Sequence, residues 1–120
     1  MIYNSELIME SDGDCEIVAS IVIGNDILGN LVIQLEYNDY GNDFPTGTRH
    51  LSCEVTTAVI ERDSMERMAL KLHLPVKELT NHLIRKFYDG GYISRNAYVR
   101  RCFGKMLDYV LDQQGKYYLK

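Results

Sequence analysis

His50 and Cys53 have the spacing of a metal-ligand pair, and Asp39, Asn42 and Asp43 offer oxygens close together in sequence. Neither set has the pattern its metal requires. Residues three apart at the start of a strand point to opposite faces, so His50 and Cys53 grip one ion only across a bulge. The Asp39 to Asp43 run lacks the alternating acids and terminal glutamate of an EF-hand loop. The three histidines, His50, His73 and His82, are scattered, and no G-x-S-x-G, P-loop or G-x-G-x-x-G occurs. Cys15, Cys53 and Cys102 contain no C-x-x-C pair. The residues therefore point to a protein that is not an enzyme and holds no metal or cofactor.

Charge is distributed more tellingly than the net value of −4 implies. Residues 1–63 carry twelve acids against Arg49 and Arg62, a sum of −10; residues 64–120 carry eleven bases against five acids, a sum of +6. Such asymmetry between halves points to an oppositely charged partner. Between two strand patterns lies the stretch Asn38 to Arg49, long for a hairpin loop and rich in turn formers. Its aromatics Tyr40 and Phe44 would be wasted on a merely solvated connector. With Asp39 and Asp43 they form the candidate partner-binding set.

Residues 65–84 resemble a helix-turn-helix. Ala69 is the small residue that lets two helices approach, Met68 and Leu72 flank it, Leu74 is the apolar turn residue and Leu79 anchors the second helix. His73 stands where such turns usually place glycine, and His82 at a usually apolar position. The resemblance implies a second helix in the major groove, with Lys77, Asn81 and Arg85 reaching bases or phosphates. Arg101 and Lys105, on the solvent face of a third helix, would add to that basic surface. Six of the nine tyrosines fall in this half, several near bases. Tyrosine suits protein interfaces, and aromatics also stack on nucleic-acid bases.

These residues must be positioned by an α+β fold: a four-stranded antiparallel sheet in residues 6–62 packed against three helices in 64–115, all one domain. Ile17, Ala19, Ile21 and Ile23 share one face of a strand, and Leu31, Ile33, Leu35 and Tyr37 alternate with polar or smaller residues in the next. In the fourth strand the pattern sets Leu51, Cys53, Val55, Thr57 and Val59 inward. Asp63 or Ser64 is the expected cap of the first helix, with Glu66 completing a capping box with Asp63. Met65, Met68, Ala69 and Leu72 form its buried stripe. The second helix buries Val76, Leu79, Leu83 and Phe87 and stops at Gly90-Gly91. Ser94 caps the third, which buries Val99, Cys102, Phe103, Met106 and Val110.

No stretch approaches the length of a membrane span, and the N-terminus lacks a secretory pattern. Cysteines without pairing motifs suit a reducing compartment, so a cytoplasmic protein without a membrane partner is expected. The expected function is a non-catalytic regulator or inhibitor. Its acidic half and aromatic loop would engage a basic protein, conceivably one that itself binds nucleic acid, because dense carboxylates imitate phosphates. Direct nucleic-acid binding through the basic half is the alternative, and pairing of the −10 half with the +6 half of a second copy is a further one.

Overall fold

Period-two alternation makes the first half a sheet, because only one face of each strand needs burial. A computed structural model of the chain describes residues 3–11, 17–43, 49–88 and 96–120. The strands are β1 (Tyr3–Glu10), β2 (Ile17–Asn25), β3 (Leu31–Asp43) and β4 (Arg49–Ile60), followed by α1 (Arg62–Leu72), a 3-10 turn (Val76–Glu78), α2 (Leu79–Phe87), α3 (Asn96–Asp112) and a short β5 (Tyr118–Leu119). All five strands form one antiparallel sheet in the order β1-β2-β3-β4-β5. The fold is thus α+β as the patterning requires, with one strand more than expected. β5 is two exposed residues long, too short for any periodicity to announce it. It is fixed by pairing with Ala58 and Val59 and by the Lys120 N–H donating to the Thr57 carbonyl.

Side chains directly opposite each other in paired strands share a face. Ile23, Ile33 and Ala58 therefore lie in one row, as do Ile21 and Leu35, and all five are buried in the main core. Against this face pack Met65 and Met68 of α1, Leu79 and Leu83 of α2, and Val99, Phe103, Met106 and Val110 of α3. The expected inner faces of β2, β3 and all three helices are found. That of β4 is reversed. Ala58 and Ile60 point into the core, while Val55 lies on the other face and is 46% exposed. Val59 is buried too, but on Val55's side, in register with Val32 and Tyr118. With β-branched or small residues at Val55 through Ile60, alternation has no phase to read; the register with β3 sets it.

The stretch read as a long loop is mostly strand. β3 runs to Asp43 and β4 resumes at Arg49, with Asn42 opposite His50 and Asp43 opposite Arg49. Turn-forming composition is only a preference, and two backbones already paired upstream continue their ladder at small added cost. The residues that remain between them, including Phe44, lie outside the described residues, as does the expected Asp12-Gly13 hairpin turn.

Local corrections follow from tertiary contacts. α1 starts at Arg62 with Glu61 as its cap residue, and no side chain caps it. Ser64 is buried instead: its Oγ accepts from the Arg67 guanidinium at 2.8 Å and from the Lys116 N–H at 3.1 Å, which ties the C-terminal segment to α1. Gly115 completes that closure, since a Cβ there would lie 2.6 Å from the Met68 sulfur. α2 ends at Phe87, before the glycine pair. The expected Ser94 cap lies outside the described residues. Cys102 is buried.

Candidate partner-binding interface

The topology decides which charges meet. The ends of β1 and β3 and the starts of β2 and β4 lie at one end of the sheet, because all four strands are antiparallel neighbours. Glu10, Ser20, Glu36 and Val55 form a row across that end, so two carboxylate residues flank the buried Ser20. Glu54 pairs with Tyr37 in the adjacent row. The pairing of β2 with β3 reaches Ile17 opposite Asp39, while β3 and β4 continue to Asp43 opposite Arg49. Asp39 is thus the last residue of β3 with a described partner in β2, and Tyr40 and Asp43 follow it on the distal part of the β3–β4 pair. No described helix core residue belongs to the row of Glu10 and Glu36, which is on the face opposite the helices. At the same end Arg100 of α3 lies over the Tyr37 ring, 4.6 Å from its centroid, and anchors the start of that helix to β3.

No protein-family model, curated protein or solved structure matches the chain.

The opposite end of the sheet carries the β2–β3 turn. Asp26 shapes it: its carboxylate accepts from the Leu28 and Asn30 N–H groups, each at 2.9 Å, and from the Asn30 side-chain amide. Burial pushes the Asp26 pKa up, but those hydrogen bonds and the charge of Lys120 outweigh it and hold the group below the ordinary carboxylate value. Gly29, with φ of 83°, supplies the left-handed residue that such a hairpin needs. The turn displays Ile27 and Leu28 almost fully to solvent. No sequence pattern singled them out.

The basic residues do not form one stripe along α2. Lys77 belongs to the 3-10 turn and lines a depression with Arg62, Asn25 and Gly29. Asn81 and Arg85 are exposed on α2, and Asn81 donates to the Glu78 carboxylate. Lys105 lies elsewhere, in a depression with Lys86, Tyr88 and Tyr98, and Arg101 is exposed one turn before it on α3. His73, in the position usually held by glycine, has φ of 58°, and its N–H and that of Leu74 close the end of α1 onto Leu70 and Ala69. Ala69 and Leu79 are buried as the pattern requires.

His82 shows why a polar residue fits that usually apolar position. Its Nε2 is 2.7 Å from the Tyr109 hydroxyl, and the two rings stack with centroids 6.0 Å apart. Lys86 lies over the Tyr109 ring at 4.7 Å and Phe87 meets it edge-on. Burial, then the charges of Lys86 and Arg85, hold the His82 pKa below the ordinary imidazole value; burial raises that of Tyr109. A histidine whose folded pKa lies below its unfolded one is protonated first in the unfolded chain as pH falls. Its contribution to stability is complete above about pH 6.5 and is lost as pH falls through that value toward the folded pKa. Urea unfolding between pH 7.5 and 5 should show this loss, and His82→Gln should flatten the profile. An identical slope in the variant would remove His82 from the account.

Proposed function

We propose that the protein is a non-catalytic binding module, a regulator or inhibitor that presents the acidic end of its sheet to a basic surface of another protein. The observation that supports this best is the pairing of β3 with β4 as far as Asp43 opposite Arg49, since Asp39, Tyr40 and Asp43 then follow Glu36 along β3 toward the end of the sheet where Glu10 closes β1. Carboxylates gathered on a backbone already fixed by hydrogen bonds meet a cationic surface with little further ordering, and such complementarity raises association rate and specificity. Aromatic anchors among them would supply affinity.

The test is photo-cross-linking of the tagged chain in its source cells, with the probe in turn at Asn42 and at Thr80, far apart in the fold. Cross-links from position 42 to one protein, removed when Asp39→Lys and Asp43→Lys are combined, are the expected result. Tyr40→Ala with Phe44→Ala should weaken the purified complex by more than about 2 kcal/mol while unfolding stability changes little. Cross-links that survive the charge reversal, or arise only from position 80, would overturn the reading.

A second reading has its own support. The left-handed His73 ends α1 in a tight turn at the position where a helix-turn-helix would have one, and Lys77, Asn81 and Arg85 are exposed, which favours this reading. Duplex binding that falls by about one unit of salt slope in each of Lys77→Ala and Arg85→Ala would favour it over the acidic-end reading.

A further inference from the structure

The depression between the end of α2 and α3 combines two residue types that neither reading uses together. Tyr88 and Tyr98 border it and remain 53% and 41% exposed, and Lys86 and Lys105 stand beside them. Tyr98, Arg101 and Lys105 recur at i, i+3 and i+7 on α3, so they share one side of the helix. Lys86, Arg101 and Lys105 are all exposed and, among the described residues, none forms an ion pair. Among the described residues Asp108 lies on the next turn of α3, and Glu10 follows Met9 of the lining but belongs to the sheet face opposite the helices; Asp89, next to Tyr88 in the sequence, lies outside the described residues. Lys86 is held over the Phe87 and Tyr109 rings, which keeps its charge at the rim instead of free in solvent.

We propose that this depression is a binding site for single-stranded nucleic acid, with bases stacked on Tyr88 and Tyr98 and backbone phosphates held by Lys86, Arg101 and Lys105. The chemistry follows from the parts. A tyrosine with an open face accepts any base, and a cation at the rim neutralises the phosphate that accompanies it. Duplex is excluded as the preferred ligand because its bases already stack on each other and offer no face to a tyrosine. A basic protein, the partner of the acidic end, would be repelled by the three cations. The site lies on the helical layer and shares no residue with the acidic end. It shares Arg101 and Lys105 with the basic surface of the direct nucleic-acid reading, but neither Lys77 nor Arg85, and the variants below tell the two apart.

The experiment is fluorescence anisotropy of the whole chain with labelled dT and U oligonucleotides and with a duplex of equal length, at 50 to 300 mM salt. Both single strands should bind and the duplex much more weakly. About three phosphate contacts should give a slope near −2 for the logarithm of affinity against that of salt, since each contributes about −0.7 in single strands. Lys86→Gln, Arg101→Gln and Lys105→Gln should each flatten the slope by about that amount. Tyr88→Ala and Tyr98→Ala should each weaken binding by about tenfold, whereas Tyr88→Phe and Tyr98→Phe, which keep the ring, should not. Preference for dT or U would tell DNA from RNA as the source of the strand. No binding of either strand at 100 μM protein and 50 mM salt, by about the limit for weak electrostatic complexes, would overturn the proposal. So would single-strand binding unchanged by the alanine variants, or duplex binding lost with Lys77 and Arg85 but indifferent to the tyrosines.

Discussion

Phe103→Ala is expected to lower the free energy of unfolding by about 3–5 kcal/mol, the range for an aromatic ring removed from a core that relaxes only in part. Phe103 is 6% exposed and sits midway along α3, the helix with the most extensive contact to β2. It belongs to the cluster that joins Ile21, Ile23 and Ile33 of the sheet to Met106 and Val110 of the same helix. Removing the ring leaves a void between helix and sheet that Val99 and Met106 on the adjoining turns cannot fill without leaving their own contacts. In a domain of this size that loss corresponds to a fall in melting temperature of roughly 10–20 °C. Phe103→Leu keeps most of the volume and should cost far less. Denaturant unfolding with an unchanged slope is the measurement, and a loss below 1 kcal/mol would mean that α3 does not pack through this residue.

Phe103 was legible in the sequence because a 3.6-residue period survives for five buried positions, Val99, Cys102, Phe103, Met106 and Val110. The same holds for Leu31, Ile33 and Leu35, whose larger side chains alternate with Val32, Gln34 and Glu36. β4 shows the limit of that logic. Val55, Ala58, Val59 and Ile60 offer apolar groups to both faces, so composition cannot choose the phase, and only pairing with β3 does. The acidic segment fails differently. Asn38 to Asp43 contains residues that favour turns when alone, yet the register begun at Leu31 opposite Ile60 holds as far as Asp39 opposite Ser52, and after an irregularity pairing resumes at Asn42 opposite His50. Local preference yielded to pairing with β4, and shows only in that shift of register.

The site residues show the same division. Charge asymmetry is a property of the sequence, whereas the antiparallel order is what sets Glu10 and Glu36 in one row and carries β3 on from it to Asp39 and Asp43. The lysine and tyrosine depression was only half visible. Tyr98, Arg101 and Lys105 share a helical period, but their meeting with Lys86 and Tyr88 depends on how α2 and α3 pack, which no spacing encodes. Ser64 looked like a helix cap from its type and position. Its hydroxyl was drawn instead to Arg67 and to Lys116, fifty-two residues away in the chain.

Leu79→Ala is expected to cost about 2–5 kcal/mol, and the argument begins from the length of α2. Nine residues are too few for a helix that persists in water by itself, so α2 exists because its apolar side is buried. That side is chiefly Leu79 and Leu83, both fully buried, with Ile84 and Phe87 packed at the margin. Leu79 opens the helix directly after the 3-10 turn, whose Glu78 N–H closes onto the Pro75 carbonyl. Truncating it removes the first of the two anchors and should let the turn and the start of α2 separate from the sheet before the rest unfolds. Amide exchange should therefore quicken most at Thr80 to Leu83, while β2 and β3 keep their protection. Leu79→Met, which keeps the volume, should cost less than about 1.5 kcal/mol. Uniform acceleration through the whole domain would show α2 to be part of a single cooperative unit, and a loss under half a kilocalorie would show that Leu79 is not an anchor. The outcome also bears on function. Lys77 precedes this helix and Arg85 lies on it, so duplex binding that survives Leu79→Ala would not depend on an ordered α2, and the helix-turn-helix reading would fail with its own geometry.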